Sequence, residues 1–215
     1  MCYNLDGDNM ASSVIHMCVA NEVNKYLKKD NKKILIGSIA PDISKHIGMT
    51  KEKSHFLDNV NDNIPNIDKF LNKYKNYLND DFVMGYFIHL YTDYLWFKYF
   101  MPSFIKKDFI YSIDGNKLYL NEEEKIKYIY NDYTNLNIKL LDVYNLDLSI
   151  YYKNIPNIEN IITEIPMDKL SVIIDKAGLI IKNSKESKAF VFDIEEINKF
   201  IEFSVSDILT QIEKV

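Results

Sequence analysis

The stretch from Phe82 to Phe100 constrains the fold of this 215-residue chain more than any other, because it is apolar on every side of a helix. Residues 82–97 read Phe-Val-Met-Gly-Tyr-Phe-Ile-His-Leu-Tyr-Thr-Asp-Tyr-Leu-Trp-Phe. A helix on a protein surface keeps one polar face, whereas a helix that is apolar all round is buried among other elements. We therefore predict an all-α domain packed around this segment as its central helix, with Asp80 or Asp81 as the N-terminal cap.

The apolar spacing elsewhere predicts about six more helices. Ser12 or Ser13 can cap a helix that runs to about Leu27. Residues 34–43 form a short apolar run that fits a buried strand or a buried helical turn. We favour a helix because no partner strand is evident elsewhere, and Pro41 ends it or begins a turn. Further helices are predicted at 67–78, 122–151 (as one helix or two), 168–182 and 193–213.

Three segments lack helical periodicity. Residues 44–63 have little apolar content and are predicted to form a loop. Residues 109–113 and 117–120, joined by Asp114-Gly115-Asn116, are predicted to form a small hairpin. Residues 1–9 are interpreted as an N-terminal extension, which leaves residues 10–215 as one compact all-α domain of about seven helices.

The composition argues against several classes of protein. The net charge is −5, with 26 Lys and no Arg, whereas proteins that bind duplex nucleic acid carry a basic surplus. No run of about 18 uncharged apolar residues is present, so no transmembrane segment is predicted, and no secretory signal is visible. Cys2 and Cys18 are interpreted as free thiols of a reducing compartment, so a cytoplasmic location is expected. The sequence leaves the oligomeric state open.

The chain has only four histidines, and one of them lies in the central helix beside a carboxylate. His89 and Asp93 are four residues apart, which places them on one helix face at about 5–6 Å between Cβ atoms. Such a pair can ligate one metal ion, or two ions bridged by the carboxylate. Because a bare charge is costly to bury, Asp93 must be coordinated, paired or neutralised. The alternative interpretation is a satisfied His89–Asp93 pair, or Asp93 held by a Lys or Tyr.

Three more residues occur in contexts that suit the same chemistry. Asp42 follows a proline at the end of a buried segment, although a turn is the commonest role of Pro-Asp. His55 lies in the predicted loop and His16 in the first helix, where the alternatives are an exposed histidine and a core-edge histidine. His46 has an ordinary loop context and is not a candidate. The combined imidazole and carboxylate donors suit Zn²⁺, with Mn²⁺ or Fe as alternatives.

The order of these residues resembles the zinc-dependent phospholipase C family, which is distantly related to the S1/P1 nucleases. An early helical His, a Pro-Asp, a Ser-His and a Gly-x3-His-x3-Asp occur in the same order in that all-α family, over about residues 10–100 of this chain. The resemblance implies one or two zinc ions, bridged by Asp93, with Asp42 as a ligand or as the base for the attacking water. The implied ligands are His16, Asp42, His55, His89 and Asp93.

The chain departs from this family at the third metal site. Family members complete that site with two more His and a Glu after the central helix, and this chain has no His after His89. The third site is therefore expected to be absent, or rebuilt from carboxylates such as Glu122, Glu123 or Asp132. Ile43 stands where choline-specific members have an aromatic residue, so a phosphocholine pocket is not expected.

The resemblance implies a hydrolase of phosphoesters, a phospholipase C-like phosphodiesterase in which a metal-activated water attacks phosphorus. Phospholipids are one class of candidate substrate and soluble phosphoesters are another. With no Arg, metal ions and Lys45, Lys51 or Lys53 would carry the charge of the transition state. Two alternatives stay open. One is an HD-type metal phosphohydrolase acting on nucleotides, although its adjacent His-Asp pair is absent. The other is a degenerate, non-catalytic binding module of the same fold.

Overall fold

The computed structural model describes residues 11–152 and 154–215, so the predicted extension at residues 1–9 and Cys2 lie outside the described residues. Seven of the ten α-helices in the described part have seven or more residues, which confirms the all-α prediction. In chain order they are α1 (Ser13–Leu27), α2 (Asn31–Gly37), α3 (Ile43–His46), α4 (Lys51–Ser54), α5 (Ile67–Tyr74), α6 (Asp81–Leu95), α7 (Met101–Phe104), α8 (Glu122–Tyr144), α9 (Leu170–Lys182) and α10 (Ile194–Ile212).

The apolar segment forms the central helix α6, as predicted. Asp80 caps it by accepting hydrogen bonds from the backbone N–H groups of Phe82 and Val83 at 2.9 and 3.0 Å. Every residue from 82 to 93 is buried. The α-helical part ends at Leu95, and a wider π-helical turn, Trp96–Phe100, continues the segment into α7. The prediction of a buried central helix is therefore confirmed, with a change of helix type near its end.

Two glycines allow α2 and α6 to cross with their backbones in contact. A Cβ atom on Gly85 would lie 2.2 Å from the carbonyl oxygen of Ile34, and one on Gly37 would lie 2.3 Å from that of Phe82. No side chain fits at this crossing, so both positions require glycine. The close approach brings Ser38, the residue that follows α2, beside the middle of α6.

Residues 34–43, for which the sequence allowed a strand or a helical turn, are helical, as we favoured. Helix α2 is followed by a 3₁₀ turn at Ala40–Asp42, in which Pro41 takes a position where its missing N–H costs nothing. Helix α1 packs against α2, α6, α8 and α10, so the C-terminal helices cover the same core that the N-terminal ones build. Cys18 is buried in α1 as a free thiol.

The small hairpin is confirmed, whereas the long loop is not. Strands β1 (Ile110–Tyr111) and β2 (Lys117–Leu118) pair antiparallel, with Ile110 opposite Leu118. The prediction of a loop over residues 44–63 is wrong in its first half, because α3 and α4 occupy it. These one-turn helices lack the periodicity of a long helix, and a buried hydrogen bond of 2.8 Å from Ser44 Oγ to Ser54 Oγ joins them. No described helix is long and apolar enough to cross a membrane.

Candidate metal centre

All five predicted ligands meet at one buried point. Helix α1 contributes His16, the 3₁₀ turn contributes Asp42, the residue after α4 is His55, and α6 contributes His89 and Asp93. Each of these residues is at most 2% exposed. Four segments that are distant in sequence therefore place three imidazoles and two carboxylates in the interior of the domain. His55 is buried, so its interpretation as an exposed loop histidine is wrong.

The two oxygens of Asp93 face different histidines. Oδ1 lies 3.3 Å from Nε2 of His16, while Oδ2 lies 3.5 Å from Nε2 of His89 and 3.6 Å from Nε2 of His55. Asp42 adds a second carboxylate, with Oδ1 3.5 Å from Nε2 of His55. Because its two oxygens face different histidines, the Asp93 carboxylate has the arrangement of a ligand that can bridge two metal ions.

Backbone and hydroxyl acceptors fix the orientation of two of the rings. Nδ1 of His89 lies 2.7 Å from the carbonyl oxygen of Ser38, and a carbonyl only accepts, so this nitrogen donates. Nδ1 of His55 lies 2.9 Å from Oγ of Ser54, which itself donates to the carbonyl of Lys51. The network thus assigns the proton of each neutral ring to Nδ1 and turns the Nε2 lone pair toward the centre.

The resulting lone pairs face one another across a distance typical of metal ligands. The Nε2 atoms of His55 and His89 are 3.3 Å apart. Two neutral imidazoles in this orientation repel unless a cation lies between them. Tetrahedral ligands with bonds of about 2.0–2.1 Å to Zn²⁺ are separated by about 3.3 Å. The separations of 3.3 to 3.6 Å among these donors agree with that value.

Five polar atoms of the centre lack hydrogen-bond partners within the described residues. Oδ1 of Asp42, both carboxylate oxygens of Asp93 and both ring nitrogens of His16 are buried and unpartnered. Such atoms are rare in folded proteins and costly to bury. This geometry disfavours a satisfied His89–Asp93 pair, and no described Lys or Tyr hydrogen-bonds to Asp93. The donor set fits a divalent metal ion.

The environment of His16, His55 and Asp93 favours the protonation states that metal ligands require. Burial lowers the pKa of His55 to about 4 and also lowers that of His16, to which the charge of His89 adds. Burial opposes ionisation of Asp93, but the nearby His16 and His89 outweigh it and lower the carboxyl pKa. The pKa of His89 moves the other way, because Asp93 outweighs the effect of burial and raises it. At neutral pH the centre therefore presents an ionised carboxylate beside neutral His16 and His55, and metal binding at Nε2 of His89 would displace its proton.

The comparisons with known proteins give no match. No family model, no curated protein and no solved structure is similar to this chain. The resemblance to zinc-dependent phospholipases C thus stays a prediction, and the case for a metal rests on the geometry of the five residues.

The candidate ligands form two overlapping groups. One consists of His16, Asp42 and His89, the other of His55, His89 and Asp93, and within each group the donor atoms lie within 4.8 Å of one another. Because Nδ1 of His89 is bonded to Ser38, only Nε2 remains, and His89 can serve one ion. A second ion would therefore depend on His16 and on the carboxylates.

The carboxylates suggested for a third site are used elsewhere. Asp132 accepts hydrogen bonds from the backbone N–H groups of Phe190, Val191 and Phe192 at 2.9, 2.6 and 3.2 Å. Glu122 pairs with Lys125 at 2.7 Å near the start of α8. Of the two expectations for the third site, absence or rebuilding, the structure disfavours its rebuilding from Asp132 or Glu122, because Asp132 anchors the chain that precedes α10 and Glu122 pairs with Lys125.

Three supporting groups escape prediction from the sequence. The carbonyl of Ser38 orients His89, and Ser54 orients His55. Tyr86 on α6 donates to the carbonyl of Ser54 at 2.5 Å and so fixes the end of α4. A backbone carbonyl has no sequence signal, since any residue supplies one. Of the three groups, Ser54 alone has a sequence signal, because it belongs to the Ser54-His55 dipeptide.

A cleft of about 480 Å³ opens beside the centre, and Asp42 lies in its wall. Lys45 also lines it, with Nζ 3.4 Å from Oδ1 of Asp42, so this lysine has the position expected for a charge-bearing residue. Lys51 and Lys53 do not line this cleft, whereas His46 does. Of the five candidate ligands, Asp42 is thus the one that lines this cleft, beside the basic Lys45.

Removing the hydroxyl that orients His55 is expected to weaken metal binding without unfolding the chain. We expect Ser54→Ala to lower zinc affinity about 10–100-fold, as loss of an outer-shell partner does in other zinc sites. Competition with a chromogenic chelator measures this. Ser204→Ala is the matched control, because Ser204 is equally buried but its hydroxyl has no partner among the described residues. Equal affinities of the two variants would contradict the assigned role of Ser54.

Proposed function

We propose that this protein is a metal-dependent phosphoester hydrolase with one or two zinc ions in the five-residue centre. The observation that carries the proposal is the convergence of unpartnered carboxylate oxygens and inward-facing imidazole nitrogens at separations of 3.3 to 3.6 Å. The basic cleft beside the centre adds a place for an anionic substrate. The order of the ligands along the chain is similar to that of zinc-dependent phospholipases C.

Zinc in this centre would supply a Lewis acid for a phosphoryl oxygen and lower the pKa of a water molecule toward neutrality. Asp42 lies between the centre and the cleft, and its Oδ1, which has the Lys45 ion pair but no hydrogen bond, can hold the ion or accept the proton of the attacking water. Lys45 places an ammonium group next to the same oxygen, where it can offset phosphate charge. In a chain with no Arg, this lysine takes the role that a guanidinium often has.

The proposed substrates are phosphodiesters, with phospholipids and soluble esters as the two classes to be separated. The HD-type alternative predicts a preference for nucleotides and needs an adjacent His-Asp pair, which the chain lacks. The non-catalytic alternative predicts metal or ligand binding without turnover.

The test is hydrolysis of bis(p-nitrophenyl) phosphate by the full chain. We expect turnover that a chelator abolishes and that added Zn²⁺ restores, because the proposed chemistry depends on the metal. Mn²⁺ and Fe²⁺ in the same assay identify the preferred ion. A protein that binds zinc but hydrolyses neither this diester nor the corresponding monoester would support the non-catalytic module. A strong preference for nucleotides would support the HD-type reading instead.

A further inference from the structure

The cleft beside the metal centre has the size of a small-molecule site. Its volume of about 480 Å³ falls within the range of about 300–1,000 Å³ that such sites occupy. Its walls come from the start of α1, from α8 and from α9, with Asp42 and Lys45 next to the metal centre. The walls from α8 and α9 belong to the part of the chain that carries no resemblance to any family.

One wall holds a buried phenol whose hydroxyl has no partner. Tyr133 on α8 is 4% exposed, and no group among the described residues hydrogen-bonds to its hydroxyl. Its ring packs against Phe192 at 5.9 Å and Trp96 at 6.1 Å between centroids. The indole N–H of Trp96, also buried without a hydrogen bond, lowers the pKa of the phenol as a donor to its oxygen would, which leaves the phenol's own O–H without an acceptor. A buried hydroxyl that is left unpaired costs stability, so packing alone does not account for a tyrosine at this position.

The phenol of Tyr133 is neutral and can donate a hydrogen bond. Burial raises its pKa well above the usual value, and the charges of Tyr130 and Asp93 add to this shift. A neutral donor in a cleft that reaches the centre is suited to an incoming oxygen acceptor.

The cleft also carries positive charge that the protein itself does not neutralise. Lys176 on α9 is exposed, and no carboxylate among the described residues pairs with it. Ser12, the N-cap of α1, and Ser13, its first residue, line the same cleft, and a helix N-terminus adds partial positive charge there. The one carboxylate in the wall is Asp42, a proposed metal ligand. These features together select an anion that offers several oxygen acceptors.

We infer that Tyr133 and Lys176 bind the phosphoryl group of the substrate, the phenol by donating a hydrogen bond to a phosphoryl oxygen and the ammonium by its charge. This inference rests on the proposed function and extends it to the C-terminal half of the chain. Leu179 and Ile180, which are 47% and 38% exposed in the same wall, provide an apolar contact for the alcohol portion of the ester. The substrate class is a phosphoester small enough to place its phosphate inside the cleft.

Binding of inorganic phosphate to the zinc-loaded full chain tests the inference. By calorimetry we expect Tyr133→Phe to lower phosphate affinity about tenfold, the effect of losing one hydrogen bond to a charged group. Lys176→Gln is expected to lower it about threefold to tenfold, more at low salt than at high salt. Both variants should keep the zinc content and thermal stability of the parent chain. Tyr128→Phe is the matched control, because Tyr128 lies on α8 against Phe190 and outside the cleft.

The outcomes separate the inference from the proposed function. Zinc uptake with phosphate binding that neither variant weakens overturns the inference alone, whereas a chain that takes up no zinc overturns both. Hydrolysis of a soluble diester is compared with hydrolysis of phosphatidylcholine vesicles, so that the two proposed classes of substrate are tested separately. A lower kcat/KM for Tyr133→Phe on whichever ester is hydrolysed supports the inference and identifies the source of the phosphate. Equal rates for the parent and Tyr133→Phe on both esters overturn it.

Discussion

Asp93→Asn is expected to abolish zinc retention and phosphodiester hydrolysis while the fold persists. The substitution keeps the volume of the side chain and removes the charge that faces His16, His55 and His89. Loss of an outer-shell partner already weakens zinc sites about 10–100-fold, and we expect loss of this carboxylate to exceed that range. Elemental analysis after gel filtration in metal-free buffer measures the retained zinc, and circular dichroism monitors the fold.

Two histidine variants extend this experiment, one at a proposed ligand and one as its control. His55→Ala should also lose zinc, because Nε2 of His55 faces His89 at 3.3 Å and Asp42 at 3.5 Å. His46→Ala should retain it, since His46 is the one histidine outside the five-residue centre. Full zinc content in Asp93→Asn and His55→Ala would show that the ligand assignment is wrong.

Gly85→Ala is expected to destabilise the chain strongly, although it adds a single methyl group. The new Cβ would lie 2.2 Å from the carbonyl oxygen of Ile34, so α2 and α6 would have to separate. Overpacking of this kind costs about 3 kcal/mol, which exceeds the gain of about 1 kcal/mol that alanine brings to a helix. Separation would also move the Ser38 carbonyl away from His89, so zinc affinity should fall together with stability.

Gly178→Ala is the matched control for the helix crossing. Gly178 also lies inside a helix, but its added Cβ would meet only the Tyr151 side chain, at 3.3 Å. We expect its free energy of unfolding in urea to stay within about 1 kcal/mol of the parent value. Similar stabilities of the two alanine variants would contradict the close crossing of α2 and α6.

The sequence was most informative where one local pattern decides the structure. The apolar surface of the central helix predicted its burial, and the spacing of His89 and Asp93 placed both on one face. The short hairpin followed from Asp114-Gly115-Asn116, where Gly115 adopts a φ of 79°. In each case the structure is decided by residues that are close to one another in the sequence.

The features that sequence patterns missed depend on contacts between distant segments. The helices α3 and α4 are one turn each, and a buried bond between Ser44 and Ser54 joins them. This bond and the orienting role of Ser54 explain why His55 is buried in a segment of little apolar content. Tyr133 and Lys176 carry no motif, and only the packing of α8 and α9 around α1 brings them to the cleft.

The most direct test of the metal centre is anomalous X-ray diffraction from crystals of the purified chain, recorded on both sides of the zinc absorption edge. We expect one or two zinc peaks among His16, Asp42, His55, His89 and Asp93, at about 2.0–2.2 Å from the imidazole nitrogens and carboxylate oxygens. A zinc-supplemented crystal with no peak between these side chains, or with its peak elsewhere on the chain, would contradict the proposed metal centre.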